Sequence, residues 1–198
     1  MIPLLESCLD KAPAKYVFTN TIFKQYHLNK DMTDRMFYGV FTDRLPNRFL
    51  VGFFDADAFG GRKTKDPFIA SQLDLRNAKV YINGTCIRDT QINYLENKYM
   101  EVYMSYLRFL NAEAKNFYLS YTDFKEGYRF YTVDLRFDSR CKSELHCIGA
   151  PVTRGRLDFA ISLGERLKED AVMLVFGLSN EQIHIDKHRV AKFCPTIS

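Results

Sequence analysis

Residues 156–164 read RLDFAISLG, in which Leu157, Phe159, Ile161 and Leu163 alternate with Asp158, Ala160 and Ser162. A repeat of two gathers the large apolar side chains on one face of an extended chain and would scatter them around a helix, so this stretch predicts a strand with one covered face. Residues 127–137, GYRFYTVDLRF, obey the same rule, with Tyr131, Val133, Leu135 and Phe137 opposed to Thr132, Asp134 and Arg136. Residues 170–179, DAVMLVFGLS, are apolar on both faces, as expected of a strand covered on both sides, and NEQIHID follows with Ile183 and Ile185 in phase.

Residues 79–88, KVYINGTCIR, place Asn83-Gly84 between two short β-prone runs. Both residues accept positive φ, which makes the pair the strongest short hairpin signal. Further strands are expected at residues 15–26 and 48–55. One segment departs from the pattern: from Asn93 to about Ala112, Leu95, Tyr99, Val102, Tyr103, Tyr106, Leu107 and Leu110 recur every three or four residues, and Asn93 with Glu96 resembles a capping box. Seventeen Phe and twelve Tyr beside ten Gly and six Pro also suit pleated, half-buried surfaces. Roughly eight short strands, one inserted helix at about 93–112 and no β-α-β alternation predict an all-β chain, an antiparallel jelly-roll sandwich.

A length of 198 residues suits one such domain, with residues 1–14 as a lead-in and 191–198 as a C-terminal tail. No apolar run is long enough to span a bilayer, and Met1 is not followed by a signal-type segment, so a soluble product retained inside the cell that makes it is expected. Cys8, Cys86, Cys141, Cys147 and Cys194 are odd in number and lack any CxxC pair, which argues for reduced thiols rather than a disulfide framework. A net charge of +4, spread along the chain, permits weak attraction to polyanions without a dedicated nucleic-acid stripe.

Several groups carry potential chemistry. In NRFLVGFFDADAFGGRKTKDPF, Asp55 and Asp57 lie two apart and could share a cation, yet the surrounding residues lack the ligand spacing of a calcium loop. Gly60-Gly61 with Arg62, Lys63 and Lys65 lacks the spacing of a phosphate loop. Strand end and basic turn are the simpler readings. His184 and His188 would chelate together only on a helix, and the sequence around them reads as a strand. Cys141, His146 and Cys147 offer three soft ligands without a second cluster. No nucleophile elbow occurs. The reading is therefore of a non-enzyme with no catalytic, cofactor-binding or metal residues.

Taken in order, LPNRFLVGFFDADAFGGRKTKDPF, KVYINGTCI, DFKEGYRFYTVDL, Cys141, GRLDFAIS and IHIDKHRV resemble the major capsid proteins of Maverick/Polinton elements and adinto-like viruses. The resemblance runs from about residue 11 to residue 190. It implies the C-terminal jelly roll of a double-jelly-roll subunit, three copies of which form a pseudo-hexagonal capsomer in an icosahedral shell. It implies as partners the chain itself, neighbouring capsomers, a separately encoded first jelly roll, and penton or minor capsid proteins. Neither sequence-specific nucleic acid nor membrane is implied, and the expected place is the virion capsid, after assembly inside the host cell. Two other classes compete: a single jelly roll that binds a ligand in the manner of a lectin, and a cupin-like metalloenzyme, for which the four histidines His27, His146, His184 and His188 are a thin ligand supply.

Overall fold

The computed structural model describes residue 9 and residues 12–70, 73–92, 99–110, 119–135 and 154–195. Among the described residues nine strands form two antiparallel sheets: β1 (Ala14–Leu28), β2 (Asp34–Arg44), β3 (Arg48–Asp55), β4 (Leu75–Ile82), β5 (Thr85–Gln91), β6 (Tyr131–Asp134), β7 (Arg154–Leu163), β8 (Ala171–Ile185) and β9 (Ala191–Pro195). The larger sheet has the order β1-β8-β3-β6, with β9 also on β8, and the smaller has the order β2-β7-β4-β5. The chain crosses between sheets after β1, β2, β3, β5, β6 and β7, which interleaves the two as a jelly roll does. The antiparallel sandwich expected from the alternation is what forms.

Between the sheets the alternating residues meet as the sequence dictates. Phe41 contacts Phe49 at 6.2 Å between ring centres, Phe49 contacts Phe159 at 6.2 Å, and Phe159 contacts Tyr131 at 5.8 Å, a line of rings crossing the core. Leu28, Val51, Val80, Leu157, Met173 and Val175 fill the space around them and are fully buried. At Gly177 a Cβ would stand 2.6 Å from the Phe41 ring, so the absence of a side chain there lets that ring lie against the β8 backbone.

The Asn83-Gly84 turn joins β4 to β5 with φ of 50° and 81°, as foreseen. The strand over residues 170–179 and the NEQIHID segment are one fifteen-residue strand, β8. Strand β2 carried no readable alternation, because Gly39 takes φ 62° in a bulge where the register slips between Phe37 and Phe41. Val40 and Phe41 are both buried as a result. Asp158 repairs the bulge: its carboxylate, 1% exposed, accepts from Gly39 N–H at 2.7 Å and from Arg156 at 2.8 and 3.1 Å.

The structure differs from expectation in four places. Residues expected to form a tail include β9, which pairs with Glu181–Ile185 of β8. The inserted helix is seen as α2 (Met100–Phe109), while the Asn93 and Glu96 capping residues lie outside the described residues. Two further helices occur, α1 (Ala56–Phe59) and α3 (Tyr121–Glu126), the latter capped by Ser120, whose hydroxyl accepts from Asp123 N–H and donates to its carboxylate. Finally, within the described residues 127–135 of the run 127–137, β6 covers Tyr131–Asp134, and Arg136 and Phe137 lie outside the described residues.

Candidate assembly surface

Asp55 ends β3 as its sequence suggested. One carboxylate oxygen accepts from Ala58 N–H at 3.0 Å and starts α1, and the other takes Lys65 at 2.6 Å. Lys65 also reaches Glu169 at 2.8 Å, tying this loop to the β7–β8 connection. Partial burial pushes the Asp55 carboxyl up, but the Lys65 ammonium and the Ala58 amide outweigh it and hold the group below the usual carboxylate range. Asp57 turns instead to Arg62 at 2.7 Å. The two carboxylates are thus separately engaged and do not converge.

Gly60 and Gly61 close the turn behind α1, Gly61 at φ 92°. His184 lies in β8 beside Gln182, whereas His188 lies in the turn after Asp186, so the strand expected through both ends before His188. Cys8, Cys141, His146 and Cys147 lie outside the described residues. Among the described residues, no three His, Cys, Asp or Glu side chains gather around a possible metal position. One open groove of about 490 Å³ lies on the outer face of the smaller sheet, lined by Met36, Asn77, Lys79, Tyr81 and Ser162 among others.

Edges and faces are more informative. Among the described residues the edge strands are β1, β6 and the short β9 in the larger sheet and β2 and β5 in the smaller. The β5–β6 side is closed. Helix α2 packs on β6, Thr90 and Tyr131 hydroxyls meet at 3.1 Å between the sheets, and Arg88 and Arg48 donate to Ser105 and to the Phe109 carbonyl. Tyr99, Tyr103, Tyr106, Tyr121 and Phe124 stack beneath these helices. Burial and the Tyr121 hydroxyl push the Tyr99 phenol up to about 12.

On the β1–β2 side the described residues bridge the sheets through side chains: Tyr26 edge-on to Phe37 at 5.1 Å, Lys24 over Phe41, and Arg35 over Phe37 and donating to the His27 carbonyl. No described residue pairs with the outer edge of either strand. Nearby, on the outer face of the larger sheet, Phe54, Val172 and Leu174 are buried under Phe130, and the strip continues to Phe176 and Phe23, whose rings meet tilted at 5.1 Å with Phe23 half exposed.

The larger sheet also outruns the smaller one. Glu181, 4% exposed, marks the limit, accepting from Arg44 at 3.0 Å and Asn20 at 3.3 Å. Beyond it the transverse rows Tyr16–Ile183–Phe193 and Ala14–Ile185–Ala191 continue the inward face of β1, β8 and β9 with no described strand opposite. Tyr16 is 59% exposed and Phe193 51%.

No protein-family model and no curated protein matches this sequence. In structure, the chain is similar to a chain of the Sputnik virophage particle, with a TM-score of 0.52, 11% identity, 94% of this chain and 39% of that chain covered. The chain therefore spans about two-fifths of the Sputnik chain. The fold is an antiparallel jelly-roll sandwich. A chain of the PBCV-1 virus capsid and the mavirus major capsid protein also match, at TM-scores of 0.48 and 0.47 and identities of 8% and 9%, over 93% and 94% of this chain and 52% and 42% of theirs.

Proposed function

We propose that this chain is a structural capsid protein, the C-terminal jelly roll of a double-jelly-roll major capsid protein of Maverick/Polinton type, and not an enzyme. The observation that carries the reading is the asymmetry of the sandwich: one side closed by helices, the other with two long edges that no described strand pairs with and exposed rings beside them. A monomer must protect long edge strands by some device, and the surface of a neighbouring subunit is one. The Sputnik likeness supports the capsid class, and the remaining three-fifths of that chain leaves room for a second roll. The described residues contain no helix long and apolar enough to cross a membrane.

In this role three copies would form a pseudo-hexagonal capsomer through their β1–β2 sides, joined in the shell by penton or minor capsid proteins and completed by a separately encoded first roll. Molar mass by light scattering over a concentration series, at low and high salt, tests this. A discrete trimer or larger closed species is expected. A monomer throughout, with no capsomers in negative-stain images, overturns it.

A further inference from the structure

The projecting part of the larger sheet, made of residues 14–20, 179–185 and β9, is a thin three-stranded tongue. β1 forms one margin of it, and from Lys15 to Thr19 every residue is exposed, so this stretch is open on both faces. Tyr16 and Val17 are 59% and 66% exposed. An edge strand of that kind invites pairing with another strand, and folded proteins blunt such edges with bulges, prolines, charges, shortness or a cover. Each of the other described edges has one of these devices. β2 is bulged at Gly39, and β5 slips register against β4 beside Val80 and carries Arg88 and Asp89. β6 is four residues long under α2, and β9 is five residues long and ends in Pro195.

Over residues 16–23, YVFTNTIF, β1 has none of them. It pairs with β8 from Ala14 to Leu28 without a register shift. The run holds no charge, glycine or proline, and all but Asn20 are β-branched or aromatic. Such a sequence is the type most prone to join strand to strand.

The chain itself supplies the matching strand. Two copies of residues 14–20 laid antiparallel about a two-fold axis at Val17 overlap over their full length. Ala14 then faces Asn20, Lys15 faces Thr19, Tyr16 faces Phe18 and Val17 faces its own copy. No like charges meet directly in that register. On the inward face it sets two Tyr16–Phe18 pairs across the new seam, and aromatic cross-strand pairs stabilise antiparallel strands. The rows across the tongue run on from one copy into the other, Phe193–Ile183–Tyr16 meeting Phe18–Glu181–Pro195. The smaller sheet does not obstruct this, because β2 ends at Arg44, which is bonded to Glu181 in the row of Phe18, and the antiparallel arrangement puts the two bodies at opposite ends of the seam.

We propose that two copies of this chain join through the outer edge of β1 at the tongue, as an antiparallel two-fold pair that unites β9, β8 and β1 of both copies in one continuous sheet. This goes beyond the capsid reading and does not depend on it. The threefold contact of that reading would fall on the body of the β1–β2 side, where Tyr26 meets Phe37, and the tongue contact lies past the end of β2.

The test is light scattering on the full chain carrying Val17→Lys or Val17→Asp. Val17 is exposed on the outward face, so neither change should disturb the fold, which circular dichroism melts check. In the proposed register each change sets two like charges opposite one another at the axis, so either variant alone should have at most about half the wild-type molar mass at equal concentration. An equimolar mixture sets Lys against Asp and should recover the wild-type value. Thr21→Lys, on the same face of β1 but beyond the paired residues, should leave the mass unchanged. Unaltered mass in both Val17 variants would overturn the proposal while leaving a threefold contact standing. A loss that the mixture fails to recover, or that Thr21→Lys equals, would overturn it too. A wild-type dimer that Val17→Lys reduces to a monomer would support the tongue contact and count against the threefold one.

Discussion

Over residues 171–178, β8 lies between β1 and β3 with the smaller sheet across from it, and Ala171, Val172, Met173, Leu174 and Val175 are all buried. Over residues 179–185 the same strand lies between β1 and β9, and Glu181 alone is buried. Ile183 and Ile185 are as apolar as Val175 on the same inward face, so residue type at these positions does not decide which is buried. A second layer does: a strand half becomes core only where another sheet covers its face, and where cover stops the same alternation yields a surface.

The largest separation is expected from truncating each half equally. Met173→Ala removes a fully buried side chain from the centre of the sandwich and should cost about 2–5 kcal/mol, by transfer and by the cavity left behind. Ile183→Ala should cost under about 1 kcal/mol, because its surroundings are already open to water. Guanidinium unfolding of both variants makes the comparison; equal losses would mean the tongue is covered and folds with the core.

A second break lies at the last covered turn of the buried half. Gly177→Ala inserts a methyl group 2.6 Å from the Phe41 ring and should cost about 1–3 kcal/mol by overpacking. Phe41→Leu in the same chain relieves that clash, so the double variant should lose less than the sum of the two single changes. Additive losses in thermal or chemical melts would show that the ring is not what excludes a side chain from position 177.

How far the sequence revealed this contrast depends on what local pattern can encode. Strand β3 and the Asn83-Gly84 hairpin were legible because a short run and a two-residue turn contain their own physics. The β2 strand was hidden by the Gly39 bulge, whose support, Asp158, lies 119 residues away. Asp55 was legible as a strand end, but its tie through Lys65 to Glu169 spans distant segments that no local window joins. Alternation showed that Tyr16, Ile183 and their neighbours share a face and left open whether anything covers it. The tongue, and with it the candidate surface, is therefore a property of where the smaller sheet ends.

At that boundary, Arg44→Ala leaves the Glu181 carboxylate buried with Asn20 as its remaining side-chain partner. A stranded buried carboxylate is costly, but the Arg44 side chain is 41% exposed and water can enter where it stood, so a loss of about 1 kcal/mol is expected. Glu181→Gln removes the charge while keeping the shape and should cost less than Arg44→Ala. The reverse order in urea melts would show that Glu181 is stabilised by something other than Arg44.

The smallest effect on stability should come from the tongue's surface, and that is what makes it diagnostic. Tyr16→Ser and Phe193→Ser each remove a ring that is more than half exposed, so folding stability should stay within about 0.5 kcal/mol. A site whose residues cost nothing to remove from the monomer but matter to what the monomer binds is held by function, not by folding. If the β1–β2 side holds the trimer and the tongue does not, these two variants should keep at least a trimer's molar mass in light scattering. Loss of the trimer is expected instead from Phe23→Ser, whose ring lies tilted against Phe176 at 5.1 Å on β1. If Tyr16→Ser and Phe193→Ser instead dissociate the oligomer and Phe23→Ser does not, the two surfaces exchange roles, and the uncovered half of β8 becomes the contact between subunits.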